Sequence, residues 1–247
     1  MMQDEPNFYD FQQDKNILEK WLIEVKFKSG AHLLTYKKLE DIEKTAEEYF
    51  SEINNKINGL NLLRGVCIDI GAHHGSVSVY AAAMGGDVVA YEPNPINYAI
   101  LNRNIEKNSD LKIKSYNSAV GAESGNLLFN FGKTSTTGAM VDVGRDWKRT
   151  DDTISVNVIG INSILSMYDN VEFLKMDCEG CEYKIFENIT DDNLNKARVF
   201  YVEVHPTKEN QISDYENIMK NRKIKYFKKE VGHGCYEFIC SKLEVFS

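Results

Sequence analysis

Apolar residues follow two rhythms along this chain. In the first, short unbroken runs end in a charged or polar residue. These are Val66-Cys67-Ile68-Asp69, Val88-Val89-Ala90-Tyr91-Glu92, Phe173-Leu174-Lys175-Met176-Asp177 and Val199-Phe200-Tyr201-Val202-Glu203-Val204-His205. Runs this short, apolar on both faces, predict strands buried inside a parallel sheet. In the second rhythm, apolar residues recur every three or four positions. It appears after Gly75, through Tyr98, Leu101 and Ile105, through Tyr183, Ile185 and Phe186, and over 214–222. This spacing predicts helices between the strands. Residues 111–116 read as a third strand, 126–131 and 153–158 as extra strands, and 161–167 as a short helix. Two last strands, 225–231 and 236–240, are joined through Gly232-His233-Gly234 as a closing antiparallel hairpin. Strand alternating with helix from Val66 onward predicts an α/β fold around a mostly parallel sheet.

The pattern before Val66 is different. Up to Asn16 the chain is polar with scattered aromatics (Phe8, Tyr9, Phe11), an arm that docks on its own body, covers a ligand or joins a homodimer. Residues 21–28 and 31–36, parted by Ser29-Gly30, predict a β-hairpin. Residues 38–57 carry helical spacing, and Asn58-Gly59 gives a stop signal. We therefore divide the chain into an extension, 1–60, that caps a main domain, 61–247. Within the main domain, 132–152 is irregular and holds Arg145, Lys148 and Arg149; a stretch of this length is a lid or binding loop, or a solvated loop.

Candidate chemistry gathers where the strands end. Asp69-Ile70-Gly71-Ala72-His73-His74-Gly75 reads as strand, tight glycine turn and helix start, where a nucleotide-like cofactor meets a parallel sheet. A Cβ at these glycines would block the turn or the ligand. About 20 residues further on, Glu92 is placed to take both hydroxyls of a ribose. The turn lacks Gly-x-Gly-x-x-Gly. A ligand without a pyrophosphate needs fewer bare amides and more carboxylates, so the pattern suits S-adenosylmethionine better than a dinucleotide. The turn's His73 and Gly75, and Asn94 between two prolines, join the cofactor candidates. Asn117, Ser118 and Ala119 follow the third strand and are small enough for an adenine ring to lie against the backbone.

The second centre is Asp177-Cys178-Glu179-Gly180-Cys181-Glu182. Asp177 is placed to face the reactive part of the ligand, and three acids in one turn can raise a pKa or gather a cation. Glu182 could instead charge the start of the next helix. His205 is a candidate general base. Cys178 and Cys181 have redox or metal spacing, but no second pair stands at zinc-site distance, so they are read as small buried side chains of the turn. One histidine among acids is not a specific ligand set, and no metal site is assigned.

Composition narrows the partners. With 29 basic and 37 acidic side chains the formal charge is −8, which argues against broad nucleic-acid binding. No apolar run approaches a membrane span, and no signal peptide is read. Five scattered cysteines suit a reducing cytoplasm.

Together these residues resemble the FkbM family of S-adenosylmethionine-dependent methyltransferases. The likeness rests on Asp69 to Gly75, on Tyr91-Glu92-Pro93-Asn94-Pro95 with Leu101 and Asn104-Ile105, and most specifically on Lys175-Met176-Asp177-Cys178-Glu179-Gly180-Cys181-Glu182. It covers about 66–205. The resemblance implies a Rossmann-like class I methyltransferase fold, with a seven-stranded sheet and a C-terminal antiparallel hairpin. It further implies that Asp69 and Gly71 line the methionine part of the cofactor, that Glu92 holds the ribose and that Asn117, Ser118 and Ala119 border the adenine. Asp177 and Glu179 would stand beside the methyl group, and the acceptor would be a hydroxyl of a sugar, glycan or small metabolite. His73 departs from the family's usual asparagine. The rival readings are a nicotinamide-dependent oxidoreductase and a binding module that kept the fold and lost the chemistry.

Overall fold

The computed structural model describes residues 22–36, 47, 50, 51, 53, 64–131, 138–140, 153–232 and 234–242. The expected arm, most of the 38–57 helix and the Arg145, Lys148, Arg149 cluster lie outside the described residues. Of that helix, positions 47, 50, 51 and 53 are described, and they are helical.

The centre is a seven-stranded sheet. In spatial order its strands are β12 (Lys225–Gly232), β13 (Cys235–Ser241), β11 (Ala197–Val204), β10 (Val171–Met176), β3 (Val66–Ile70), β4 (Asp87–Tyr91) and β5 (Ile113–Tyr116). All neighbours pair parallel except at β13, which runs against both β11 and β12. This is the expected sheet and closing hairpin. Register brings the strand ends level: Ile70 pairs with Tyr91 on one side and Met176 on the other, and Met176 pairs with Val202. Gly71, Glu92, Asp177 and His205 therefore leave the sheet along one edge. From β3 the chain passes outward to β4 and β5 and later returns to β10, so a crevice opens at that edge beside β3.

Alternate residues of the inner strands feed opposite faces. Ile68, Ile70, Leu174, Met176, Phe200 and Val202 pack on one side with α3 (Ile161–Leu165), α4 (Glu182–Asn188) and α6 (Ile212–Asn221). Cys67, Phe173, Val199 and Tyr201 pack on the other with Phe50, Ile53 and α1 (Ser76–Ala83). Burial on both faces explains why these strands lack polar alternation. On the far side of β4 lies α2 (Pro95–Lys107), started by Pro95 and by Asn94, whose side chain accepts from the Ile96 N–H. α5 (Asp191–Leu194) is a single turn leading into β11.

A second sheet was not anticipated. β6 (Ala119–Gly121), β9 (Thr153–Gly160), β7 (Gly125–Phe131) and β8 (Gly138–Met140) form it in that order. The sequence gives β6 no strand signal, because it is three small residues long. It is a strand by virtue of its partner, with Ala119 opposite Val158 in parallel register. The segment expected only to border the adenine therefore also anchors this sheet to the crevice.

The N-terminal hairpin, β1 (Leu22–Lys26) and β2 (His32–Tyr36), docks on α1 and α2 through Phe27, Leu33, Tyr36, Val79, Ile96 and Ile100. β2 would present an unpaired edge to α2, and two asparagines one helical turn apart satisfy it. Asn104 Oδ1 accepts from the Leu34 N–H at 2.6 Å, and its Nδ2 donates to the Leu34 carbonyl at 2.9 Å. Asn108 does the same with the N–H and carbonyl of His32. Asn104 Nδ2 also donates to the His74 carbonyl at 2.7 Å, tying the hairpin to the glycine turn. Among the described residues no helix is long and apolar enough to cross a membrane.

Asn104 is fully buried. Asn104→Ala strands one N–H and two carbonyls, each costing about 1–3 kcal/mol. Urea denaturation should show a loss of roughly 3 kcal/mol, and a loss under about 1 kcal/mol would mean the hairpin is not held this way.

Candidate active site

The glycine turn is built by close approach. Gly71 sits at φ 74°, and the N–H groups of Gly71 and Ala72 both donate to the Tyr91 carbonyl. A Cβ on Gly71 would lie 1.8 Å from the Asp177 carbonyl oxygen, so only glycine lets β3 and β10 end side by side. Gly75, at φ 92°, holds a left-handed conformation that L side chains rarely adopt, and a Cβ there would press on Leu101 Cδ1, 2.5 Å away. His73 is also left-handed, at φ 54°, a conformation that asparagine and histidine tolerate better than most side chains.

Glu92 closes the turn from the next strand. Its Oε2 accepts from the His73 N–H at 2.7 Å and its Oε1 from the Asn94 N–H at 2.8 Å. Burial of the carboxyl raises its pKa to about 7, against the opposing pull of the two N–H groups. A carboxylate has about four acceptor positions, so two remain after these bonds. Asn117 braces the strand end by donating to the Glu92 carbonyl at 2.8 Å.

A cleft of about 630 Å³ opens here. Its lining comes from Gly71 and His73, from Glu92, Asn94 and Asn97, from Ser118, Ala119 and Phe129, and from Asp177, Cys178 and Glu179. Asp69 is placed beneath it, not in it. The Asp69 carboxylate is buried, accepts from the Ser78 hydroxyl at 2.6 Å and lies 3.4 Å from Lys175 Nζ. In this position the Asp69 carboxylate braces the glycine turn from below. Gly75 and Asn117 likewise support without lining the cleft.

Lys175 is buried beside Asp69. Its ammonium donates to the Gly71 carbonyl at 2.6 Å and stands 3.7 Å from Asp177 Oδ2. Burial disfavours the charge, but Asp69 and Asp177 outweigh it and raise the pKa. This side chain was missed in the sequence, where a lysine one position before the end of an apolar run was the available signal.

The turn after β10 carries the acids. Glu179 (φ 59°) and Gly180 (φ 115°) are left-handed in succession, and Cys178 and Cys181 are joined by a disulfide with Cα atoms 5.7 Å apart. The sequence reading of two separate small side chains is corrected here: the tight turn brings the two sulfurs together. Glu182 is fully buried and does not merely charge the helix start. Its Oε1 accepts from the N–H groups of Cys178 and Gly180 and faces His205 Nδ1 at 3.0 Å. His205 Nε2 faces Glu203 at 3.3 Å, Glu179 at 3.7 Å and Asp177 at 3.8 Å. Burial works against a charge on this imidazole but is outweighed by Glu182, Glu203 and Asp177, which raise its pKa to about 10. The imidazole is thus held among four carboxylates, with Glu182 at Nδ1 and Asp177, Glu179 and Glu203 at Nε2. Glu182 was missed as a site residue because its partners lie in two separate segments.

A second cavity of about 800 Å³ adjoins the first. Phe50, Ile53, Val77 and Phe173 give it an apolar wall, and Ser76, His74, Lys175, Tyr201 and Glu203 a polar one. The two cavities share Gly71, His73 and Asp177. His74 is buried, neutral because burial and its neighbours His73 and Lys175 lower its pKa, and its Nε2 has no partner.

The sheet order, its one reversed strand and a cleft at the β3 edge define a class I methyltransferase fold. Among solved structures the chain is similar to a putative methyltransferase yhhF from Escherichia coli, with 12% identity over 90% of this chain and 100% of that chain, at a TM-score of 0.50. It is also similar to a human methyltransferase 10 domain containing protein, with 13% identity, 81% and 82% coverage and a TM-score of 0.49. At such identities the first likeness speaks for the fold alone. A search of curated proteins finds no match. The profile of the methyltransferase FkbM domain matches residues 69–226, and the chain belongs to that family. It is a methyltransferase, and its methyl donor is S-adenosylmethionine. The residues fit that donor: Gly71 is bare, and Glu92, on the lining of the cleft, keeps two acceptor positions for a pair of ribose hydroxyls.

Glu92 titrates near 7 in the folded chain against 4.5 for an ordinary glutamate. Between those values the folded protein holds a proton that the unfolded chain has released, so stability falls as pH rises through this window. The shift corresponds to roughly 3 kcal/mol at full development. Urea denaturation from about pH 5 to about pH 8 should show that slope in the wild type and a flatter one in Glu92→Gln. Equal slopes would mean that Glu92 titrates normally.

Proposed function

We propose that this methyltransferase methylates a hydroxyl oxygen on an uncharged acceptor: a sugar, a glycan or a comparable small metabolite. One observation carries the reading. The two cavities meet at Gly71, His73 and Asp177, where a donor in the first and an acceptor in the second would come together.

Each side chain then has a task. Glu92 takes the ribose hydroxyls, with Asn94 and His73 fixing its carboxylate through their N–H groups. Ser118 and Ala119 form the adenine wall, and Phe129 faces them from the second sheet. Gly71 and His73 line the methionine part, and Asp69 and Lys175 hold that turn from below. Bound S-adenosylmethionine supplies an electrophilic methyl group, whose transfer to oxygen leaves S-adenosylhomocysteine and one proton. The protein's main contribution is alignment. Asp177, at the junction of the cavities, takes the hydroxyl proton, and Glu179 flanks it.

The acceptor class follows from charge and shape. Asp177, Glu179 and Glu203 present carboxylates at the junction, which repel a phosphodiester backbone and suit a polyol. Phe50 and Ile53 give the second cavity an apolar wall against which a ring or chain can lie. On this reading the extension, 1–60, caps the main domain and completes the acceptor pocket.

Asp177→Asn should lower turnover of S-adenosylmethionine with a sugar or glycan acceptor by about 10²–10⁴-fold. Calorimetry should find its affinity for S-adenosylhomocysteine nearly unchanged. Wild-type turnover in this variant would remove Asp177 from the chemistry, and methylation of RNA in place of glycans would overturn the acceptor class.

A further inference from the structure

We propose that Asp177, Glu179, Glu203 and His205 form a site for one hard divalent cation of the Mn²⁺ or Mg²⁺ class, at the junction of the two cavities. The inference rests on the methyltransferase reading for its purpose but not for its geometry.

The first observation is spacing. Asp177, Glu179 and His205 each offer a ligand atom within 4.8 Å of the others. From Nε2 the oxygens of Glu203, Glu179 and Asp177 stand at 3.3, 3.7 and 3.8 Å. The last two are too long for hydrogen bonds. An octahedral cation with ligands at about 2.1 Å separates adjacent ligands by about 3 Å, so measured from Nε2 the oxygens need to close by under about 1 Å, while Glu203, grouped with His205 and Cys235 and not with the other two acids, must also turn toward them.

The second observation concerns the histidine, and it is independent of the acids at Nε2. Metal-binding imidazoles present one ring nitrogen to the ion and give the other N–H to a carboxylate that fixes the ring. His205 has this arrangement, with Nδ1 against Glu182 and Nε2 toward the three acids. Its side chain is 96% buried and that of Glu182 completely so. Glu182 also accepts from the N–H groups of Cys178 and Gly180, so one buried carboxylate positions the ring and the turn that carries Asp177 and Glu179.

The third observation is place. Asp177 and Glu179 line the first cavity, and Asp177 and Glu203 the second. An ion among them faces the point where methyl and acceptor would meet. Glu203 and His205 also come within reach of the buried Cys235 thiol, but the face open to both cavities belongs to the carboxylates. Oxygen ligands with one imidazole favour Mn²⁺ or Mg²⁺ over thiophilic metals. The ion takes the acceptor hydroxyl oxygen as a ligand and lowers its pKa. The O–H proton passes to the carboxylate of Asp177, the oxygen lone pair forms the bond to the methyl carbon, and the electron pair of the C–S bond returns to sulfur.

The test is titration of the full chain, freed of metal with EDTA, with MnCl₂. The six-line electron paramagnetic resonance signal of free Mn²⁺ disappears on binding. One Mn²⁺ should bind per chain, and Glu179→Gln and Glu203→Gln should each weaken it by about tenfold or more with circular dichroism unchanged. Glu182→Gln should weaken it by about 10–100-fold through the misplaced ring. No binding at millimolar Mn²⁺, or equal binding in wild type and both ligand variants, overturns the site. Calorimetry with S-adenosylhomocysteine on the same samples separates the two ideas. Cofactor binding without Mn²⁺ binding sinks the cation site alone, and Mn²⁺ binding without cofactor binding sinks the reading of the cleft.

Discussion

Strands β3 and β10 leave the sheet so close together that only a hydrogen atom fits between the Gly71 α-carbon and the Asp177 carbonyl. Everything at the catalytic edge depends on that approach. The Asp177 N–H donates to the Ile70 carbonyl, so pairing of the strands continues one residue past both. The glycine turn and the acidic turn are thereby one rigid floor. Glu92 closes the floor from β4 and His205 from β11, each placed by parallel register.

Charge follows from the same crowding. Asp69, Glu92, Asp177, Glu179, Glu182 and Glu203 all lie near the ends of four adjacent strands. Two buried basic side chains answer them from inside the fold. Lys175 stands between Asp69 and Asp177, and His205 among the acids of β10, α4 and β11. The first secures the glycine turn and the second the acidic turn.

Much of this could be read from the sequence. The inner strands are apolar on both faces and end in their functional residue, so their order of use was visible. Glu92, Gly71, His73, Ser118, Ala119 and Asp177 do gather on one cleft, because strand ends share an edge. What stayed hidden was set by distant partners. β6 is a strand only because Val158 lies opposite Ala119. Glu182 resembles a helix-charging acid until its 23-residue separation from His205 is closed. Asp69 occupies the expected turn, yet Ser78 and Lys175 draw its carboxylate underneath. A left-handed Glu179 beside Gly180 brings two cysteines into a bond that spacing alone did not decide.

The amide of Asn104 serves two clients at once, the edge of β2 and the carbonyl of His74. Hairpin and glycine turn are consequently linked by one shared group. Free energy gained at either end through that amide is felt at the other, and thermodynamic reciprocity makes the linkage equal in both directions. Whatever lifts the hairpin loosens the glycine turn, and whatever fixes that turn tightens the hairpin's hold on the helix.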